Sequence, residues 1–202
     1  MKITKIEQLK GKRVSVEING YYYTCLDVSF ILGNNLAEGD EVDKDFFNAV
    51  MLESELPRAV DKLVYSLGSS MKTYLECKRY LYDKKFHTLV VEQALAKVLS
   101  YGYIDDKKYV EAYVRSHEKD RGEYRLKLEL EQKGVDEKII DEYFAAYPLD
   151  EEDAAFAVAK KYMKNKVYDV KTVVKLKNHL LSKGYGYDTV SAVFKRLKVE
   201  ED

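Results

Sequence analysis

The chain has no tryptophan, two prolines and two cysteines among its 202 residues. Proline interrupts helix interiors and central strands, so its scarcity suits a helix-rich chain. Cys25 and Cys77 are far apart and in different segments, which excludes a disulfide scaffold; reduced thiols in the cytosol are expected. No run approaches the roughly 18 uncharged apolar residues of a membrane span. Met1-Lys2-Ile3-Thr4-Lys5 lacks the apolar stretch of a secretion signal, so a cytoplasmic protein without membrane contact is expected. Catalytic patterns are missing too. His87, His117 and His179 show no metal spacing with each other or with a cysteine, and no Gly-rich phosphate loop or Gly-x-Ser-x-Gly occurs. Asp105-Asp106 invites an acid–base or metal reading. The pair follows Gly-Tyr-Ile at a helix start with no third ligand nearby, and helix capping explains it. We expect no enzyme, no catalytic residue, no metal and no cofactor.

What is present is repetition. Leu81-Tyr82-Asp83-Lys84-Lys85-Phe86, Leu130-Glu131-Gln132-Lys133-Gly134-Val135 and Leu180-Leu181-Ser182-Lys183-Gly184-Tyr185 recur at steps of 49 and 50 residues. Cys77, Leu126 and Leu176 precede the leucine by four; Val91, Ile140 and Val190 follow, then Leu95, Phe144 and Phe194. Such a period means one supersecondary unit built three times. In the middle copy, Asp105 or Asp106 starts a helix with Tyr109, Ala112, Tyr113 and Ser116 on its apolar face. A second helix runs through Leu126 and Leu130 to Gly134, where a C-terminus needs a left-handed residue, and Asp136 caps a third. The first helix aligns least well between copies: Ala59–Leu67 and Asp153–Met163 match only with gaps.

Residues 1–56 follow a different pattern. Val14, Val16 and Ile18 alternate with polar residues, Asn19-Gly20 follows, and Tyr21, Tyr23 and Cys25 alternate again. Asn-Gly between alternating runs is a strong hairpin signal, and a two-residue loop pairs Ile18 with Tyr21, Val16 with Tyr23 and Val14 with Cys25. Asp45–Ser54 reads as a helix. An isolated hairpin is barely stable, so this module leans on its own helix or on the first repeat. The predicted fold is mainly α: three tandem three-helix repeats in an elongated, curved array, with a small N-terminal β-hairpin-plus-helix module. The segments are 1–56, repeats at 57–99, 100–150 and 151–198, and an acidic tail at 199–202.

The net charge of −1 conceals segregation. Residues 1–56 carry 6 basic and 10 acidic side chains, 57–99 carry 8 and 4, 100–153 carry 9 and 16, and 154–198 carry 11 and 2. Blocks of one sign create local fields that select partners whatever the total. In the basic block, Lys160, Lys161, Lys164, Lys166, Lys171, Lys175, Lys177, Lys183, Lys195 and Arg196 are candidates for contact with phosphate or an acidic protein surface. Lysine suits sequence-independent contact. Arg121 and Arg125, at i and i+4 on a helix start, can project from one face toward carboxylate or phosphate. The competing reading pairs them locally with Asp120, Glu123 or Glu129.

Gly102-Tyr103-Ile104-Asp105-Asp106, Arg121-Gly122-Glu123-Tyr124-Arg125-Leu126, and Glu129-Leu130 with Lys133-Gly134-Val135 resemble the central signature of the RecX family. The resemblance covers about residues 57–198 and is most specific in the middle repeat; the hairpin module resembles the N-terminal extension of some members less closely. It implies a bacterial, non-enzymatic regulator built from three three-helix repeats. Such a regulator binds as a monomer in the groove of RecA–DNA filaments and inhibits ATP hydrolysis, strand exchange and coprotease activity in DNA repair and the SOS response. Direct contact with single- or double-stranded DNA is a further expectation.

Eighteen tyrosines suggest base stacking, but Tyr109, Tyr113 and Tyr143 sit at core-facing positions, so packing is expected for most; Tyr185 and Tyr187, in the basic repeat, stay open. Two other classes compete: a sequence-reading DNA-binding module, and a helical scaffold for another partner. Three Asn and Gln between 100 and 198 argue against base reading.

Overall fold

The computed structural model describes residues 1–197, so the acidic tail at 199–202 lies outside the described residues. The chain forms two compact units, one ending at Asp105 and the other starting at Asp106. The described residues hold ten helices and one three-stranded sheet, so the mainly helical expectation holds.

The first unit opens with β1 (Ile3–Gln8), β2 (Arg13–Ile18) and β3 (Tyr21–Asp27), antiparallel in that order. Asn19 and Gly20 both have positive φ, 52° and 86°, as a type I′ turn requires. Ile18 pairs with Tyr21 as predicted, but the register then departs from the sequence reading. Val16 pairs with Thr24 and Val14 with Leu26, because a bulge adds Tyr23 to β3. A shift by one exchanges the two faces of a strand. Thr24 and Leu26 therefore enter the core beside Val14, Val16 and Ile18, while Tyr23 and Cys25 are only half-buried. Strand β1 was not anticipated, having Ile3 as its single buried residue.

After α1 (Val28–Gly33), α2 runs from Lys44 to Ser69 with Pro57 inside it. It starts at Asp43, whose carboxylate accepts from the Asp45 and Phe46 amides. It passes unbroken through 56–57, where the sequence suggests a module boundary, and its second half is the stretch assigned to the first repeat. The helix packs on β3 and on the next two helices, α3 (Tyr74–Asp83) and α4 (Thr88–Ser100). Glu55, only 2 % exposed, anchors this arrangement. It receives both Arg13 guanidinium nitrogens from β2, at 2.5 and 2.6 Å, and Arg58 at 2.9 Å. Tyr23 reaches Asn48 at 2.8 Å and stacks on His87. The hairpin thus leans on both its own helix and the first repeat.

The second unit contains α5 (Asp106–His117), α6 (Glu123–Gln132), α7 (Glu137–Ala146), α8 (Glu151–Met163), α9 (Val170–Ser182) and α10 (Tyr187–Leu197). The repeat alignment is visible as burial: Cys77, Leu126 and Leu176 are buried, as are Leu81, Leu130 and Leu180, Val91, Ile140 and Val190, and Leu95, Phe144 and Phe194. The middle helix of each triplet also ends alike. Lys85, Gly134 and Gly184 take positive φ. The next amide then bonds back to the repeated leucine: Phe86 to Leu81 at 3.2 Å, Val135 to Leu130 at 3.1 Å, Tyr185 to Leu180 at 3.3 Å. This Schellman closure satisfies carbonyls a helix end leaves free and directs the chain into the third helix.

Two expectations are corrected. On α5 the buried residues are Tyr109, Val110 and Val114, whereas Ala112 and Ser116 are exposed. Valines 110 and 114 continue the stripe from Tyr109 by one and five positions, and that stripe wins over the one read through the smaller residues. Most tyrosines are not core residues: eleven of the eighteen are exposed, and Tyr109 and Tyr185 are the fully buried ones.

Candidate interaction surface

The basic repeat places its charges on α8, α9, α10 and the connections that follow α8 and α9, and the structure sorts them. Arg196 is committed: it bonds Glu152 at 3.2 Å and Asp153 at 2.8 Å, and its guanidinium lies 4.1 Å from the Phe156 ring centroid. Lys160 covers the same ring at 4.9 Å, and Lys166 sits over Tyr162. Lys183 pairs with Asp120 at 3.6 Å, and Lys177 is half-buried. Lys161, Lys171, Lys175 and Lys195 are exposed, and Lys164 with them; among the described residues they form no ion pair. Lys171 and Lys175 stand one turn apart on α9 beside Val174, which is also exposed. Asp169 caps that helix through the Thr172 amide at 2.7 Å; donation from the Thr172 side chain and then from its amide, with Lys175 nearby, holds its carboxyl below the ordinary range.

The two arginines of the middle repeat converge on one partner. Arg121 donates to Glu129, Arg125 reaches it at 2.7 Å through Nε, and the Tyr113 hydroxyl donates to it at 2.8 Å. Burial alone would raise the Glu129 carboxyl, but donation from Arg125, Tyr113 and Arg121 outweighs it and holds the group below its usual value. Local pairing, the competing reading, is therefore the arrangement seen. Arg125 keeps about half its side chain exposed, while Arg121 is largely enclosed.

Their neighbour Gly122 has a different task. It precedes α6 without a side chain to cap it. The need is met from α8, where Glu151 accepts the Glu123 amide at 2.5 Å and the Thr189 hydroxyl at 3.3 Å. The Gly122 amide donates to the Lys183 carbonyl at 2.9 Å. A Cβ on Gly122 would stand 2.7 Å from the Tyr185 nitrogen, and one on Gly184 2.9 Å from the Arg125 Cα. Two glycines thus bring the second and third repeats into backbone contact. Sequence reasoning missed this junction, and neither Arg121-Gly122 nor Lys183-Gly184 marks it, since Lys133-Gly134 has the same pattern.

Among the described residues no helix is long and apolar enough to cross a membrane, and no three His, Cys, Asp or Glu side chains gather closely enough to hold a metal. Three helix triplets with matched burial and matched closures define a tandem three-helix-repeat protein. A family model for the second three-helix domain of RecX matches residues 105–143. The chain is 32% identical to regulatory protein RecX of Clostridium tetani across 97% of this chain and 94% of that protein. It is 28% identical to the protein of the same name from Clostridium acetobutylicum across 99% and 98%. A crystal structure of regulatory protein RecX shares the fold with a TM-score of 0.63 over 98% of both chains, at 24% identity. RecX from Lactobacillus salivarius gives 0.62 over 71% of this chain and 96% of that one, at 25% identity. The chain belongs to the RecX family of regulatory proteins.

Proposed function

We propose that this protein regulates the RecA recombinase in the bacterial cytoplasm by lying, as a monomer, in the groove of the RecA–DNA filament. There it slows ATP hydrolysis, strand exchange and coprotease activity. Membership of a family of regulatory proteins supports the reading, and the observation that carries it to particular residues is the set of exposed lysines without an ion pair among the described residues. Lys161, Lys164, Lys171, Lys175 and Lys195 are free to neutralise phosphate or an acidic protein surface. Arg121 and Arg196 are engaged within their own repeats and Lys183 pairs across to Asp120 of the middle one, so these three contribute indirectly; Arg125, Lys160 and Lys177 flank the contact. A filament groove is long and repetitive, and like units in tandem can each meet a different subunit. No cofactor takes part.

Added below the RecA concentration, the protein is expected to lower DNA-dependent ATP hydrolysis and strand exchange. Reversing Lys161, Lys171 and Lys175 to Glu weakens filament binding without moving the melting temperature, since exposed lysines contribute little to folding. Binding by the parent falls steeply with salt if phosphate is met, because each neutralised phosphate releases counterions. Unchanged ATPase and strand exchange across a wide titration would refute inhibition, and equal binding by parent and triple variant would remove the lysines from the contact. Retention on bare DNA equal to that on filaments would favour a DNA-binding module.

A further inference from the structure

The junction of the second and third repeats opens into a cleft of about 920 Å³ whose sign is opposite to that of the lysine surface. Glu123, Asp150, Glu151, Glu152 and Asp188 line it against Lys127 alone. Lys127 is held by Glu123 at 3.0 Å and Asp141 at 3.3 Å, and Glu152 shares Arg196. The other carboxylates meet no cation. Glu151 accepts from a neutral amide and a neutral hydroxyl, Asp150 caps α8 through the Glu152 amide at 3.4 Å, and Asp188 is exposed. Among the described residues, Asp150, Glu151 and Asp188 have no cationic partner.

Three tyrosines complete the lining. Tyr124 and Tyr187 belong to the lining and stand 73% and 72% exposed. Tyr185 does the reverse: it is 2% exposed, and its hydroxyl has no hydrogen-bond partner among the described residues. A buried hydroxyl without a partner costs free energy unless a bound group supplies one. Uncompensated carboxylates, exposed aromatic rings and a vacant phenol acceptor together match a side-chain cation, which carboxylates attract, rings bind through their faces and a phenol oxygen can bond. The sign of the cleft excludes nucleic acid and an anionic membrane surface. Its size exceeds one side chain, and the carboxylates do not gather as metal ligands do.

We propose that this cleft docks an arginine- or lysine-bearing segment of a protein partner. The inference does not depend on the lysine surface or on RecA. It gives the second unit two recognition faces of opposite sign, one acidic and aromatic, one basic.

Fluorescence anisotropy of a labelled eight-residue arginine peptide, with a glutamate peptide as control, tests this on the full chain. The parent binds the arginine peptide and ignores the glutamate peptide. Asp188→Lys with Tyr187→Ala weakens binding about tenfold or more. Asp61→Lys, the same charge change on an exposed part of α2, leaves it nearly unchanged. Tyr185→Phe keeps the packing and removes only the hydroxyl, and is expected to weaken binding a few-fold. Absent peptide binding, or equal weakening by Asp188→Lys/Tyr187→Ala and Asp61→Lys, overturns the proposal. So does concentration-dependent self-association abolished by the cleft variant, which would assign the site to a second copy.

Discussion

Replacing Gly122 by alanine separates the local expectation from the tertiary one by sign. Gly122 has φ −80°, which any residue adopts. On backbone grounds alanine should stabilise by about 0.4–1 kcal/mol through the unfolded state. The added methyl, however, would meet main-chain atoms of Gly184 and Tyr185, which cannot rotate away. Forcing a methyl into a filled contact costs about 1–3 kcal/mol. Pushing the repeats apart also strains the Gly122 amide's bond to the Lys183 carbonyl, worth about 1 kcal/mol. The net expectation is a loss of about 1–3 kcal/mol, several degrees of Tm at about 2–4 °C per kcal/mol for a chain this size. Gly68→Ala is the matched control: it lies in α2 with open space around it, so alanine should stabilise by about 0.5–1 kcal/mol. Urea titrations of both variants, with exchange of the Gly122 and Glu123 amides followed by NMR, give the comparison. A Gly122→Ala protein as stable as the parent, with those amides equally protected, would show that the two repeats do not meet as described.

Leu130→Ala is expected to cost about 2–5 kcal/mol, since that side chain is fully buried and its carbonyl closes α6; a loss under about 1 kcal/mol by denaturant titration would mean the core collapses around the gap or is loose. For Glu129 the sign follows from a carboxyl held below its unfolded value: its stabilisation is present at neutral pH and drains as pH falls through and below the ordinary carboxylate range. Glu129→Gln should therefore cost about 1–3 kcal/mol near neutral pH, with parent and variant stabilities converging as the solution is acidified; a constant difference across that range would place the loss in packing.

Much of the repeat architecture was legible because one physical rule governs it: apolar residues that share a helix face must recur at fixed intervals. Leu81, Leu130 and Leu180 obey that rule, and all three are buried. Even Lys85, an unlikely residue for a left-handed position, was placed by alignment with Gly134 and Gly184, and its φ is 63°. The strand register was not legible beyond the turn. Tyr23 and Cys25 are as apolar as Thr24 and Leu26, and a bulge leaves no mark in an alternating pattern. The candidate interaction residues were legible as charge but not as availability. Arg121 and Lys171 look alike in a sequence, yet one faces a carboxylate brought from eight positions away and the other faces solvent. The junction was hidden for the same reason, since Glu151 caps a helix that begins 28 residues earlier.

Helix α2 makes the N-terminal sheet inseparable from the first repeat. One uninterrupted rod carries the residues that cover β3 at one end and those that pack with α3 and α4 at the other. A chain starting at residue 57 would halve that rod, strip Glu55 from its helix and leave Arg58 without the carboxylate that holds it. The sheet therefore acts as a splint for the first repeat. Any tilt imposed on the hairpin by a partner is delivered directly to the helix that begins the repeats, with no hinge between to absorb it.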